Sequence, residues 1–124
     1  DFAHRTIDSL SDGERQRVMI AKALAQDTQI ILLDEPTAFL DFAAKAELMQ
    51  LLHRLAHEHN KTILLSTHDL ELAFQTVDRL WLLAREGLVE GDARQLMDSG
   101  RLADFFAAQG LQFDKRTGRF CLPF

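Results

Sequence analysis

The stretch IILLDEPT, residues 30–37, decides how the rest of this chain is interpreted. Four consecutive apolar residues are typical of a short strand that a parallel sheet buries on both faces, and Pro36 ends it. Ligands of open parallel sheets bind beyond the carboxyl ends of the strands. The sequence therefore predicts that Asp34 and Glu35 lie at the edge of a sheet where ligands bind.

Outward from this stretch, helical and strand patterns alternate along the chain. Apolar spacing predicts helices and buried strands in the order of an α/β protein with a parallel sheet. Beyond Gly87 the pattern changes to short helices followed by a hairpin that turns near Thr117 and Gly118. The predicted elements are helix 12–26, strand 30–34, helix 42–59, strand 61–67, a helix over LELAFQTV, strand 79–83, helices 92–99 and 101–109, and the hairpin LQFDKRTGRFCL.

The composition excludes several classes of protein. Apolar residues make up 47% of the 124 residues, enough for a folded core, so a disordered chain is not expected. A net charge of −5 argues against a nucleic-acid-binding surface, which is normally basic. Cys121 is the one cysteine, which rules out an internal disulfide, and no apolar run is long enough to span a bilayer.

The stretch LSDGE, residues 10–14, precedes the first predicted helix. Ser11 predicts an N-cap, and Gly13 lets the backbone approach whatever lies in front of the helix. An ordinary N-cap explains this pattern, and so does a phosphate site, because helix N-termini attract anions. The remaining sequence has to distinguish the two interpretations.

Polar side chains follow two strands of the predicted sheet. Asp34 can hold Mg²⁺ directly or through water, and Glu35 can polarise an attacking water. His68 follows the next strand and can hydrogen-bond a transferred phosphoryl group. Together these side chains predict phosphoryl-transfer chemistry.

Four motifs occur in the order LSDGE, IILLDEPT, AFLD and STHD within sixty residues, and together they resemble the ATP-binding cassette (ABC) family of ATPases. The resemblance covers residues 9–83. It implies a P-loop NTPase-like, three-layer α/β/α fold with a parallel sheet. Residues 1–86 are then the C-terminal part of the ATPase domain, and residues 87–124 a small helical and hairpin extension.

The resemblance implies a role for each motif residue. Glu35 and His68 are catalytic, Asp34 binds Mg²⁺, and Asp41 belongs to the D-loop. The remaining motif is the signature, which contacts the nucleotide held by a second subunit through Ser11, Gly13 and Glu14. The family's usual signature has glycine where this chain has Asp12 and glutamine where it has Glu14, so the contact of Glu14 with the nucleotide is in question.

The resemblance also implies a function. It is closest to the importers of iron–siderophore, haem and cobalamin complexes, in which an ATP-binding subunit hydrolyses ATP with Mg²⁺. The implied partners are a second ATPase subunit in a homodimer, transmembrane permease subunits and, indirectly, a substrate-binding protein, with no nucleic acid. The implied location is the cytoplasmic face of a bacterial membrane. The alternative is a non-transport ABC-fold ATPase or an assembly module that has lost activity, against which the presence of both Glu35 and His68 argues.

The sequence shows no P-loop pattern, because none of its six glycines is followed by lysine. It also begins without methionine. Both observations predict the C-terminal half of a nucleotide-binding domain, inactive in isolation.

Other candidate sites are assigned structural roles. His53 and His57 have metal-ligand spacing on one helix but no third ligand, so a solvated helix face is predicted. Ser66, His68 and Asp69 are too close in sequence to converge as a hydrolase triad. In the tail, the apolar side chains of Leu102, Phe105 and Phe106 are predicted to pack onto the core.

Overall fold

The computed structural model of the chain describes residues 11–114, 116–117 and 119–121. Its elements are α1 (Asp12–Ala25), β1 (Ile30–Leu33), α2 (Phe42–Glu58), β2 (Thr62–Leu65), α3 (Leu70–Thr76), β3 (Leu80–Ala84), β4 (Gly87–Gly91), α4 (Ala93–Asp98), α5 (Arg101–Ala107), β5 (Gln112–Asp114) and β6 (Arg119–Cys121). They form two compact units, Asp1–His68 and Asp69–Phe124. Leu10 and Gly118, both part of predicted motifs, lie outside the described residues.

The first unit contains the parallel strand pair that the sequence predicts. β1 pairs with β2 in parallel, with Ile30 opposite Thr62 and Leu33 opposite Leu65. Two-residue alternation along each strand turns Ile31 toward the buried side. The amphipathic α2 buries one stripe, made of Leu48, Met49, Leu52 and Leu55.

The apolar face of α1 differs from the sequence-based expectation. Helical spacing favours Val18, Ala21, Leu24 and Ala25, yet the buried residue of this helix is Ile20, and both alanines are exposed. Short alanine side chains carry little apolar area, so the larger isoleucine determines which way the helix faces.

The prediction that both parallel strands are buried on two faces is wrong for the described structure. One face carries large exposed side chains, with Ile30 61%, Leu32 71% and Leu64 45% exposed. Within the part of the chain that the structure describes, burial of the strands is therefore one-sided. A run of apolar residues indicates a strand whose two faces both need to be covered by other parts of a protein.

In the second unit, the strand predicted over residues 79–83 is β3, and it belongs to an antiparallel hairpin. Its partner β4 has no counterpart among the predicted elements. The register places Ala84 opposite Gly87, which leaves Arg85 and Glu86 as a two-residue turn. Gly87 has a φ of 138°, a conformation that favours glycine.

The C-terminal part of the second unit contains the short helices and the hairpin that the sequence predicts. Two short helices precede an antiparallel hairpin of β5 and β6. Leu102 and Phe106 are almost fully buried and Phe105 packs against the same cluster, which confirms the predicted core role of these side chains. In the hairpin, donation from the backbone N–H of Arg116 holds the pKa of the Asp114 carboxyl below its ordinary value.

The two compact units divide between His68 and Asp69. The boundary predicted between residues 86 and 87 separates the family's ATPase domain from a C-terminal extension. It does not concern compact units, and it remains a prediction. Among the residues that the structure describes, no helix has both the length and the hydrophobicity needed to cross a bilayer.

Candidate functional site

The parallel register of β1 and β2 brings two polar side chains together just beyond the strands. The pairing continues past the strand ends, where the backbone N–H of Ser66 donates to the carbonyl oxygen of Leu33 at 3.0 Å. This bond sets Ser66 beside Asp34, and the Ser66 hydroxyl donates to Asp34 Oδ1 at 2.6 Å. The same hydroxyl oxygen accepts from the backbone N–H of Glu35 at 2.8 Å. One serine therefore joins both acidic residues of the first strand tip to the second.

The structure also brings Glu35 and His68 together. His68 Nε2 lies 2.5 Å from Glu35 Oε1, and the two side chains are 91% and 42% exposed. Two polar groups at this distance, open to solvent, can exchange this contact for a ligand. Asp34, Glu35, Ser66 and His68 are called the strand-tip cluster below.

Glu35 adopts a backbone conformation that is unusual for its residue type. Four described residues other than glycine have positive φ, and two of them, Asp27 and Asn60, directly follow helix C-caps, where left-handed residues are common. Glu35, at 45°, and Phe39, at 65°, instead lie in the loop between β1 and α2. The left-handed conformation costs an L-residue about 1–2 kcal/mol, and such strain concentrates at functional sites.

Buried residues and hydrogen bonds hold the loop between β1 and α2, which carries Glu35. Pro36 and Thr37 are buried, and the backbone N–H of Ala38 donates to the Glu35 carbonyl oxygen at 3.1 Å. At the end of the loop, Asp41 is the N-cap of α2, and its Oδ1 accepts from the backbone N–H of Ala44 at 2.8 Å. The loop is thus held at both ends, which restricts the position of Glu35.

Ser11 and Glu14 form a capping box at the start of α1. The Ser11 hydroxyl accepts from the backbone N–H of Glu14, and Glu14 Oε1 accepts from that of Ser11, both at 3.2 Å. The N-cap interpretation of Ser11 is therefore confirmed. Glu14 turns back toward Ser11 in this structure. Because glutamine completes a capping box as well as glutamate does, the box does not explain the departure from glutamine at this position.

Gly13 lies inside the first turn of α1, beside the loop. A methyl group added there would come no nearer than 3.9 Å to Leu40 Cδ2, which is ordinary contact. Packing within the described chain therefore does not require a glycine. Ser11, Gly13 and Glu14 line one side of a shallow cleft of about 190 Å³, with Leu40 and Leu48 opposite.

The strand-tip cluster suits one magnesium ion bound together with a nucleotide. Asp34 is exposed and uses Oδ1 for the Ser66 hydroxyl, so its second oxygen can face an ion. Magnesium sites of this type take one or two carboxylates and complete the shell with phosphate and water. The described residues contain no group of three or more His, Cys, Asp or Glu side chains suited to a metal ion.

The histidine pair lies outside the site, and no hydrolase triad forms at the end of β2. His53 and His57 are exposed and their rings stack at 4.2 Å on the solvent face of α2. Ser66 bonds to Asp34 rather than forming a triad. Its place in the cluster is the one feature that sequence reasoning missed. The signal was available, because Ser66 follows β2 as Asp34 follows β1.

Comparisons with known proteins point to one family. A family model described as ABC transporter matches residues 1–38. The achromobactin transport ATP-binding protein CbrD of Dickeya dadantii is 43% identical over 106 residues, which are 85% of this chain and 39% of that protein. The iron(3+)-hydroxamate import ATP-binding protein FhuC of Bacillus subtilis is 41% identical over 127 aligned residues, covering 100% of this chain and 47% of that protein. The chain thus spans less than half the length of these relatives.

Solved structures give the same result. A putative metal-chelate type ABC transporter in an inward-facing conformation matches 83% of this chain and 41% of its own, with 35% identity and a TM-score of 0.76. The ATP-binding cassette MJ0796, a dimer bound to ADP and Pi, matches 74% of this chain and 40% of its own, with 39% identity and a TM-score of 0.65. These matches confirm the P-loop NTPase fold of ABC cassettes. The chain belongs to the ABC transporter ATPase family.

Proposed function

We propose that the protein containing this chain is the ATP-hydrolysing subunit of an ABC importer for iron–siderophore complexes. The observation that carries the proposal is the strand-tip cluster, in which two parallel strands place Asp34, Glu35 and His68 at one sheet edge. A carboxylate for magnesium, a carboxylate for water and a histidine for phosphate are three of the groups that ATP hydrolysis uses.

Glu35 acts as the base that orients water. Its carboxylate contacts His68, and the Ser66 hydroxyl together with the buried Pro36 and Thr37 holds its backbone. A carboxylate whose backbone is held in this way can align a water molecule for in-line attack. His68 then turns from Glu35 toward the γ-phosphate, which its 91% exposed side chain is free to do.

Asp34 would hold Mg²⁺, directly or through water. When bound, that ion supplies charge stabilisation at the transferred phosphate. The Ser66 hydroxyl donates to Asp34 Oδ1, which leaves the second carboxylate oxygen of Asp34 for the ion.

The signature motif at the start of α1 contacts the nucleotide that a second ATPase subunit binds. Ser11 and Gly13 would face the γ-phosphate bound by the partner ATPase of a homodimer, because a helix N-terminus attracts anions. The absence of a packing reason for Gly13 supports an approach from outside the described residues. Glu14, bound to the Ser11 backbone, shapes the turn. Asp41 lies in the D-loop beside this surface.

The substrate class rests on the relatives. Their names assign achromobactin, iron(3+)-hydroxamate and petrobactin to their transport systems. An iron–siderophore complex is accordingly the proposed cargo, ahead of haem or cobalamin. Permease subunits, a substrate-binding protein and peripheral attachment at the cytoplasmic face of a bacterial membrane follow from such a system.

The decisive experiment changes Glu35 in the full-length gene product that contains this chain. Glu35→Gln should leave Mg-ATP binding intact and lower ATP turnover by about 100-fold or more, because an amide cannot act as the base. It should also accumulate a nucleotide-bound dimer. Turnover is measured by phosphate release, and dimer formation by light scattering.

Glu58→Gln is the matched control, since Glu58 ends α2 on an exposed surface away from the cluster. It should keep parental turnover. Parental turnover in Glu35→Gln would remove Glu35 from the proposed role. A parent protein that binds ATP but does not hydrolyse it would favour the assembly module instead.

A further inference from the structure

The position of Ser66 is not explained by packing alone. It is exposed, and it follows the last residue of β2. Its hydroxyl nevertheless makes two short hydrogen bonds, as donor to Asp34 Oδ1 at 2.6 Å and as acceptor from the Glu35 N–H at 2.8 Å. The oxygen thus uses its proton for one acidic residue and a lone pair for the next.

The two bonds act on different parts of the cluster. The bond to Asp34 fixes the rotation of a carboxylate, which would otherwise turn freely on an exposed strand end. The bond from Glu35 fixes a backbone whose φ of 45° is unfavourable for this residue type. An exposed strained residue relaxes unless neighbouring groups hold it.

We propose that Ser66 is a positioning residue that holds Asp34 and Glu35 in their reactive arrangement through its single hydroxyl group. It acts through Asp34 and Glu35 and not on the reacting groups themselves. The inference rests on the proposed function, because it concerns the same ATP-hydrolysing site. It deepens that function by adding a residue that joins the Asp34 carboxylate to the Glu35 backbone.

Three variants of the full-length gene product test the hydroxyl. Ser66→Ala removes it, and Ser66→Thr keeps it while adding a methyl group that the exposed position can accept. Thr62→Val is the matched control, because it removes a hydroxyl from the same strand at a position opposite Ile30 and away from the cluster.

The kinetic result should separate turnover from binding. In Ser66→Ala, kcat should fall by about tenfold or more, because small misplacement of reacting groups lowers rate steeply, while KM changes by less than about twofold. Ser66→Thr should restore at least about half of the parental kcat, and Thr62→Val should match the parent. Parental kcat in Ser66→Ala overturns the proposal, and so does equal loss in Ser66→Thr and Ser66→Ala.

A second measurement needs no activity. Hydrogen exchange of the Glu35 amide, followed by NMR in the same full-length variants, reports the bond to Ser66 directly. Exchange should accelerate by about tenfold or more in Ser66→Ala relative to the parent and to Thr62→Val, and Ser66→Thr should retain protection. Unchanged exchange in Ser66→Ala overturns the proposal.

The two measurements also separate the inference from the proposed function. A parent that hydrolyses ATP while Ser66→Ala retains both kcat and amide protection contradicts only the role of Ser66. A parent that binds Mg-ATP without hydrolysing it contradicts the proposed function and, with it, the positioning of groups for hydrolysis. Slower turnover together with faster Glu35 exchange in Ser66→Ala supports both.

Discussion

Within the strand-tip cluster, the contact between His68 and Glu35 satisfies the Glu35 carboxylate and can still be exchanged for a ligand. His68 holds Glu35 at 2.5 Å, and both remain open to solvent. The contact satisfies the Glu35 carboxylate without burying it, so the cost of exchanging His68 for a nucleotide and water is small. A buried pair would be far harder to separate. The exposure of this pair therefore favours a reactive site over a structural ion pair.

Gly13 allows a sharper test of the signature than its neighbours do. Gly13→Ala adds a methyl group whose nearest side-chain atom is 3.9 Å away, and alanine favours helix over glycine by up to about 1 kcal/mol. The free energy of unfolding of the full-length protein should therefore stay level or rise. ATP turnover should nevertheless fall by about tenfold or more, because the methyl group would project toward the phosphate. Thermal melting and phosphate release measure the two effects.

Asp12→Ala is the control for Gly13→Ala, since it alters the adjacent exposed side chain of the same turn. It should keep turnover within about twofold, as a position directed away from the anion would. Gly13→Ala with parental turnover would show that the start of α1 is only a capped helix.

The placement of the candidate site residues was largely predictable from the sequence. Asp34, Glu35 and His68 follow apolar strands, and the parallel rule puts their side chains at one edge. The bonds of Ser66 were not predictable, since they depend on the distance between two strand tips. Likewise, the sequence allows Ser11 to cap α1, but whether Glu14 completes a capping box depends on its side-chain rotamer.

At the scale of elements, α2 connects the loop of Glu35 to the core. Its N-cap is Asp41, its buried stripe faces inward, and Glu47 on its surface pairs with Arg17 of α1 at 2.5 Å. The pair is more than half exposed on both sides and contributes little by itself. The cap and the apolar stripe are thus the parts of α2 that determine the position of the loop.

Asp41 separates a structural role from a functional one. Asp41→Ala should lower the free energy of unfolding of the full-length protein by about 1 kcal/mol, because the bond to the Ala44 N–H is lost. Asp41→Asn should retain most of that stability, since asparagine caps equally well. If the D-loop needs the charge of Asp41, turnover should fall in Asp41→Asn although melting does not change.

Chemical denaturation and phosphate release in the two variants provide the comparison. Equal stability of Asp41→Ala and the parent would mean that the cap contributes nothing measurable. Parental turnover in Asp41→Asn would limit Asp41 to capping.

Elements with strong periodicity were predictable, and elements that depend on pairing were not. The bounds of α2 differ from the predicted helix by one residue, because its leucine spacing and Asp41 cap mark both the face and the start. The partner of β3 was missed because β4, GLVEG, is short and rich in glycine. Strand pairing depends on two segments of the chain, and the sequence pattern of one segment does not specify its partner.

At the scale of the whole molecule, the open face of the parallel pair is the main departure from a closed domain. Ile30, Leu32 and Leu64 expose apolar side chains on one face of the first unit, as Trp81 and Leu83 do on β3 in the second. Contiguous exposed apolar side chains favour association. Since the chain spans less than half the length of the relatives CbrD and FhuC, we expect the remaining part of a full-length protein to cover the face of β1 and β2.

This expectation predicts opposite effects of one substitution in two lengths of the protein. In the isolated 124 residues, Leu32→Lys places a charge on an open face and should reduce self-association, because Leu32 is 71% exposed there. In the full-length protein the same lysine would be buried, and the free energy of unfolding should fall by about 2 kcal/mol or more. Gln50→Lys on the exposed side of α2 adds the same charge and should leave both properties nearly unchanged. Light scattering measures association and denaturant melts measure stability. A full-length protein that tolerates Leu32→Lys as readily as Gln50→Lys would show that this face stays open, and the apolar run IILL would then need another explanation.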